Sequence, residues 1–176
     1  MKQEAFRRLF PEPDYAQMTA RLRRPTGKVD AILDTDTYNE VDDQFALAYL
    51  LRSPESVNLR AITAAPFYRD PKEGISRSSD PADGMEKSYH EILKVLRLAG
   101  REDLFEHVYR GSTRYLPDEL TPVESQAARK ILELSREYDE KNPLYIMAIG
   151  AITNVASALL MDPSLTKRCV IVWLAG

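Results

Sequence analysis

Residues 28–51 read KVDAILDTDTYNEVDDQFALAYLL, and the order of residue types in this stretch decides the fold class. Val29 to Leu33 is a short apolar run and reads as a β-strand. Asp42 to Leu51 reads as a helix, with Phe45, Ala46, Tyr49 and Leu50 at spacings that build one apolar face. Between them lies Asp34-Thr-Asp36-Thr-Tyr-Asn-Glu40-Val-Asp42-Asp43, which puts five carboxylates into ten residues. A strand that runs into an acidic turn and then a helix is the opening βα step of an α/β domain.

The same alternation continues along the chain. Val57 to Ala65 reads as a second strand. Residues 66–84 are polar, carry Pro66, Pro71, Gly74, Pro81 and Gly84, and read as a long loop. Met85, Tyr89, Ile92, Leu93, Leu96 and Ala99 follow at helical spacing, closed by Gly100. Val108 and Tyr109 form a brief strand ending at Gly111. Thr121 to Glu124 has the form of a capping box with proline at the first helical position. The helix it opens turns Ala127, Ala128, Ile131 and Leu134 inward. Leu144 to Ile149 is a strand, Asn154 to Met161 a helix, and Cys169 to Leu174 a last strand. Strands that are apolar throughout, rather than at every second residue, are buried on both faces. The expected architecture is therefore a doubly wound, Rossmann-like α/β domain, with a mostly parallel sheet and helices on both faces. Such sheets bind ligands beyond the carboxyl ends of their strands. The places to look follow Leu33, Ala65 and Ile149.

Residues 1–27 read as an appended helix and a linker ending at Pro25, Thr26 and Gly27, so that the α/β domain occupies 28–176. Arg7, Arg8, Arg21, Arg23 and Arg24 are interspersed with acids, which describes a solvated helix face better than a nucleic-acid contact. The formal charge of -3 agrees: a mildly acidic chain has no broad electrostatic reason to bind nucleic acid. No apolar leader opens the sequence and no stretch is long and apolar enough to span a bilayer, so no membrane partner is expected. Cys169 stands alone and cannot form an intramolecular disulfide, which suits a reducing, cytoplasmic setting. Two histidines and one cysteine cannot build a zinc cluster with the usual ligands.

Helix N-capping accounts for Asp42 and Asp43, which would favour the dipole of the helix they open. It does not account for Asp34 and Asp36, which sit at the end of an apolar strand. Packed carboxylates repel, and a hard cation neutralising them explains the whole cluster. Oxygen ligands with no nearby His or Cys select calcium or magnesium.

Two families place an aspartate pair at this point. Haloacid-dehalogenase-type phosphatases carry DxDx followed by threonine or valine, where this chain has Tyr38, and that motif gives no reason for the Asp42-Asp43 pair. VDAILDTDTYNEVDDQFALAYLL more closely resembles the inosine/uridine-preferring nucleoside hydrolases, whose pattern is DxDxxxDDxxAL after the first strand. ADGMEKSYHEILKVLRLAGREDLFEHVYRGS resembles that family's helix and VYxG segment. MAIGAITNVASALLMDP is similar to its GPLTNxAxAL segment, with Gly150, Thr153, Asn154 and Ala156 in register, and CVIVWLAG is similar to the strand that follows. The resemblance covers Lys28 to Gly176. It departs in three places. Five residues, Thr37 to Val41, separate the acidic pairs where the family has three. Ala65-Pro66-Phe67-Tyr68 stands where a glycine-asparagine is frequent, and ESQAARKILEL replaces an HGxxG-like segment.

The resemblance implies hydrolysis of the N-glycosidic bond of a ribonucleoside to ribose and free base, in purine or pyrimidine salvage. By the same token it implies calcium as cofactor and a homo-oligomer as assembly. It makes Asp36 both general base and calcium ligand, Asp43 and the Thr153 carbonyl further ligands, Asp42 a hydrogen-bond partner of a ribose hydroxyl, and Asp34 a supporting residue that orients the turn. A non-catalytic nucleoside- or sugar-binding relative is the alternative alongside the phosphatase. Asn154 is read as a helix N-cap, His90 as an ordinary helix residue, His107 as a loop residue and Trp173 as core rather than base-stacking. Tyr68, Arg69 and Arg77 fall in the long loop, either as a lid or as a mobile segment. Because the last strand runs straight to Gly176 and the family continues well beyond it with further calcium and ribose ligands, the chain is expected to be a fragment. Its 176 residues alone are then expected to bind calcium weakly and turn over nucleosides poorly.

Overall fold

A computed structural model describes residues 2–12, 14–70, 72 and 77–174. Five strands form one all-parallel sheet: β1 (Val29–Thr35), β2 (Val57–Ala64), β3 (Val108–Tyr109), β4 (Leu144–Ala148) and β5 (Cys169–Trp173). Their order is β3-β2-β1-β4-β5. The principal helices are α1 (Lys2–Leu9), α2 (Tyr15–Arg21), α3 (Val41–Leu51), α4 (Pro81–Leu98), α5 (Gln126–Ser135) and α6 (Thr153–Met161). The appended N-terminal segment thus holds two short helices rather than one.

The sheet is buried on both sides, and successive residues of each strand serve opposite faces. Ile32, Ala61 and Ile146 pack with Ala128 and Ile131 of α5 and Val155 and Ala158 of α6. Their neighbours Leu33, Ile62 and Met147 pack with Leu47 and Leu50 of α3 and Met85, Ile92 and Leu96 of α4. Two helices therefore cover each face, as expected for a doubly wound domain. Among the described residues no helix is long and apolar enough to cross a membrane.

Three local expectations are corrected. The inward face of α3 is Asp43, Leu47, Leu50 and Leu51, whereas Phe45 is 70% and Tyr49 73% exposed. The helix carries two apolar stripes, and the one in register with Asp43 turns inward. Helix α4 begins at Pro81 rather than Met85. Asp80 caps it by accepting from the Asp83 amide, and Pro81 takes the first position, where its missing N–H has no helical partner to lose. At the far end Gly100 adopts φ 67°, closing the helix as its sequence suggests. Helix α5 begins after Ser125, whose side chain accepts from the Ala128 amide at 3.0 Å. Thr121 is instead held outside the helix by Asp118, which accepts from its amide and its hydroxyl.

Candidate active site

β1 is the central strand. The chain leaves it toward β2 and β3, then crosses back to β4 and β5 on its other side. The strand order thus reverses beside the carboxyl end of β1, where an open α/β sheet leaves a crevice for ligands. Into that crevice run Asp34, Thr35, Asp36 and Thr37, all buried.

Asp34 lies wholly inside the protein. Its Oδ1 accepts from the Thr63 hydroxyl of β2 at 2.6 Å and from Asn154 Nδ2 at 2.8 Å, while Oδ2 is buried without a partner. Burial pushes its pKa up to about 6. Asp36 is 6% exposed. Its Oδ2 accepts from Asn39 Nδ2 at 3.0 Å, so the lengthened turn folds back onto the carboxylate it follows. Burial pushes Asp36 up to about 6, with a further contribution from Glu40 and Asp42. Asp43, in the first turn of α3, accepts from the Thr35 hydroxyl and is pushed up to about 7, again mainly by burial and then by the charge of Asp36. Asp42, next to it, points outward to solvent.

From the other side of the crevice comes the turn between β4 and α6. A Cβ on Gly150 would fall 2.6 Å from Asp36 Oδ1 and 2.8 Å from its Cγ, so only glycine lets this backbone approach the carboxylate so closely. Thr153 is the first residue of α6 and is buried. Asn154 is not an N-cap, since that position belongs to Ile152. It is completely buried, and it donates to Asp34 and, at 3.0 Å, to the Ala64 carbonyl. It accepts at 2.8 Å from the Ser112 amide and at 3.0 Å from the Ser112 hydroxyl. One side chain thereby ties α6 to the ends of β1 and β2 and to the loop after β3. Local sequence could not show this, because asparagine at a helix start has an ordinary capping explanation.

Asp36 and Asp43 are close enough to raise each other's energy, yet among the described residues no Lys, Arg or His pairs with Asp34, Asp36 or Asp43. Buried, uncompensated carboxylates with an all-oxygen surrounding suit a hard cation. No three His, Cys, Asp or Glu side chains among the described residues converge as a metal cage. Two carboxylates would therefore hold such an ion with backbone carbonyl, water or ligand oxygens completing its shell.

The rim is aromatic. Tyr38 stacks on Phe67 with ring centroids 6.5 Å apart. Tyr115, 44% exposed, has its phenol pushed up by burial, with a further contribution from the charge of Asp36. Trp173 is not core. The residue is 53% exposed, and its indole N–H donates to the Gly150 carbonyl at 3.2 Å. Arg69 pairs with Glu40 at 2.8 Å, joining the base of the long loop to the turn over the site, and the Arg77 carbonyl accepts from Lys87. Pro71 and residues 73–76 of that loop lie outside the described residues, whereas Tyr68, Arg69 and Arg77, the expected lid residues, lie within them. His90 packs edge-on to Tyr89, and His107 ends a 3₁₀ turn on the surface.

No family model matches the chain. Among solved structures, it is similar to a purine-preferring ribonucleoside hydrolase from Gardnerella vaginalis, with a TM-score of 0.59 and 21% sequence identity. The fold is nucleoside-hydrolase-like. The match covers 81% of this chain and 47% of the solved one, so the chain spans about half the length of that enzyme.

Proposed function

We propose that this site hydrolyses the N-glycosidic bond of ribonucleosides, releasing ribose and a free base. The observation that carries the reading is the pair of buried, uncompensated carboxylates, Asp36 and Asp43, at the strand reversal of a nucleoside-hydrolase-like sheet. Cleavage of such a bond develops positive charge on the sugar, and the attacking water must lose a proton as it adds. Asp36 is the general base. Burial makes it more basic than an exposed carboxylate, and Gly150 and Asn39 fix its two oxygens. Asp43 and the Thr153 carbonyl complete the protein's share of the cation shell, and Asp34 and Asn154 hold the turn in place. Calcium bound there would neutralise the carboxylates and orient the water. Asp42, exposed at the start of α3, would be the partner of a ribose hydroxyl.

The phosphatase alternative needs a carboxylate open to its ester, and Asp34 is closed off by Thr63 and Asn154. Ribose release from a panel of nucleosides tests the proposal. Release should need calcium, stop with a chelator, and be abolished in Asp36→Asn with the circular-dichroism spectrum intact. An Asp36→Asn protein that keeps most of its rate would overturn the assignment, and binding of nucleoside without any release would point to the non-catalytic alternative.

A further inference from the structure

Helix α3 turns one apolar stripe inward and keeps a second on its outer face. Val41, Phe45 and Tyr49 follow at intervals of four and are 63%, 70% and 73% exposed. A contiguous apolar row of this kind marks an interaction surface. Asp42 and Arg52 stand on the same face, toward its two ends, and both are exposed. Among the described residues neither side chain has an ion-pair partner in its own chain. Residues seven apart lie almost in line along a helix. Asp42 and Tyr49 therefore form one row, and Phe45 and Arg52 a second row beside it. Phe45 and Tyr49 lie two residues either side of Leu47, and Asp42 and Arg52 lie five residues either side of it. The face is thus complementary to its own reverse.

We propose that α3 is a self-association surface, on which a second copy of the chain lies antiparallel about a two-fold axis level with Leu47. That axis sets Phe45 against the partner's Tyr49 and Asp42 against the partner's Arg52, and repeats both pairs by symmetry. A two-fold contact demands such a self-complementary patch, and an unrelated partner does not. Antiparallel packing also opposes the two helix dipoles favourably. The Asp42 carboxylate has a second oxygen, so its pairing leaves one for substrate. With about 200 Å² for each aromatic side chain, and Val41 and the Arg52 stem added, two copies bury roughly 1,000 Å². That lies at the low end for a specific interface, so the dimer is weak and reversible, with micromolar affinity.

Sedimentation velocity of the full chain over a concentration series, at low salt, reads this directly. The mass should rise from one copy toward two. Phe45→Glu should be monomeric throughout, with an unaltered circular-dichroism spectrum because the side chain is exposed. Arg52→Asp and Asp42→Arg should each raise Kd by roughly two- to thirtyfold, since each loses two exposed ion pairs. The combined swap, Asp42→Arg with Arg52→Asp, should return Kd to the parental value. A monomer at every concentration, a dimer that persists in Phe45→Glu, or a swap no tighter than the single variants would each overturn the proposal. Ribose release plays no part in these readouts, so the dimer and the hydrolase reading stand or fall separately.

Discussion

Asn154→Ala removes a side chain that serves four buried groups at once, besides accepting at 3.4 Å from the half-buried Ser125 hydroxyl. The Ala64 carbonyl and the Ser112 amide lose their side-chain partner, Asp34 loses one of its two donors, and the Ser112 hydroxyl loses an acceptor. A buried polar group left without a partner costs about 1–3 kcal/mol, and more where the group is charged. Two backbone groups and one weakened carboxylate bring the expected loss to on the order of 5 kcal/mol, reduced if a water fills the vacated space. Globular domains are stable by only about 5–15 kcal/mol, so the variant should stand close to unfolding. Urea unfolding followed by circular dichroism measures this. The midpoint should fall steeply while the slope stays constant. Ser112→Ala is the internal control: it deletes the hydroxyl contact and keeps the amide bond, and should lose about 1 kcal/mol. If Asn154→Ala lay within about 1 kcal/mol of the parent, the four bonds would contribute little net energy, and the reasoning that makes Asn154 the tie between α6 and β1 would be wrong.

Stability should also depend on pH with an unusual sign. Asp34, Asp36 and Asp43 are raised to about 6, about 6 and about 7, against 3.8 for the ordinary carboxylate. Over that interval the folded state holds protons that the unfolded chain has released, so the metal-free protein should lose stability as pH rises from about 4 to about 7. A chelated sample melting higher at about pH 8 than at about pH 5 would contradict this, and calcium should restore part of the loss at the higher pH. Calorimetric calcium titration should find Asp43→Ala weakened more than Asp42→Ala, because Asp43 faces the cluster and Asp42 faces solvent; equal losses would refute the assignment. Gly150→Ala pushes Asp36 aside by its close Cβ and should slow turnover by roughly a hundredfold at unchanged helical content, since a displacement of about 1 Å can cost that much. Unchanged kinetics would show that Asp36 does not act from this seat.

The parallel sheet was legible because it forces adjacent residues such as Ile32 and Leu33 to be apolar together, a pattern no half-exposed strand produces. The acidic turn was legible for the opposite reason: Asp34 and Asp36 are out of place beside such a strand. Where the reading failed, two local signals competed. In α3 two apolar stripes were available, and the decision was made by Asp43, a charged residue that periodicity scores against burial. Thr121 has the form of a cap, but Asp118 holds it outside the helix and Ser125 takes the capping position. Trp173 lies in an apolar strand and reads as core, but at the carboxyl end of β5 the residue is 53% exposed. Asn154 was misread because its partner Asp34 lies 120 residues away, beyond any local rule.

That separation also orders events in time. β1 and β2 are joined by a single crossover, so they can pair while the rest of the chain is still unformed. The other flank of β1 waits for β4, and the tie from Asn154 to Asp34 waits for α6. Loop-closure entropy makes such distant pairings slow. During synthesis the acidic turn therefore emerges early and stays wet, its carboxylates ionised and mutually repelling, until more than half of the remaining chain has arrived. Full burial of Asp34 therefore waits for the docking of α6, and the acidic turn does not nucleate the domain.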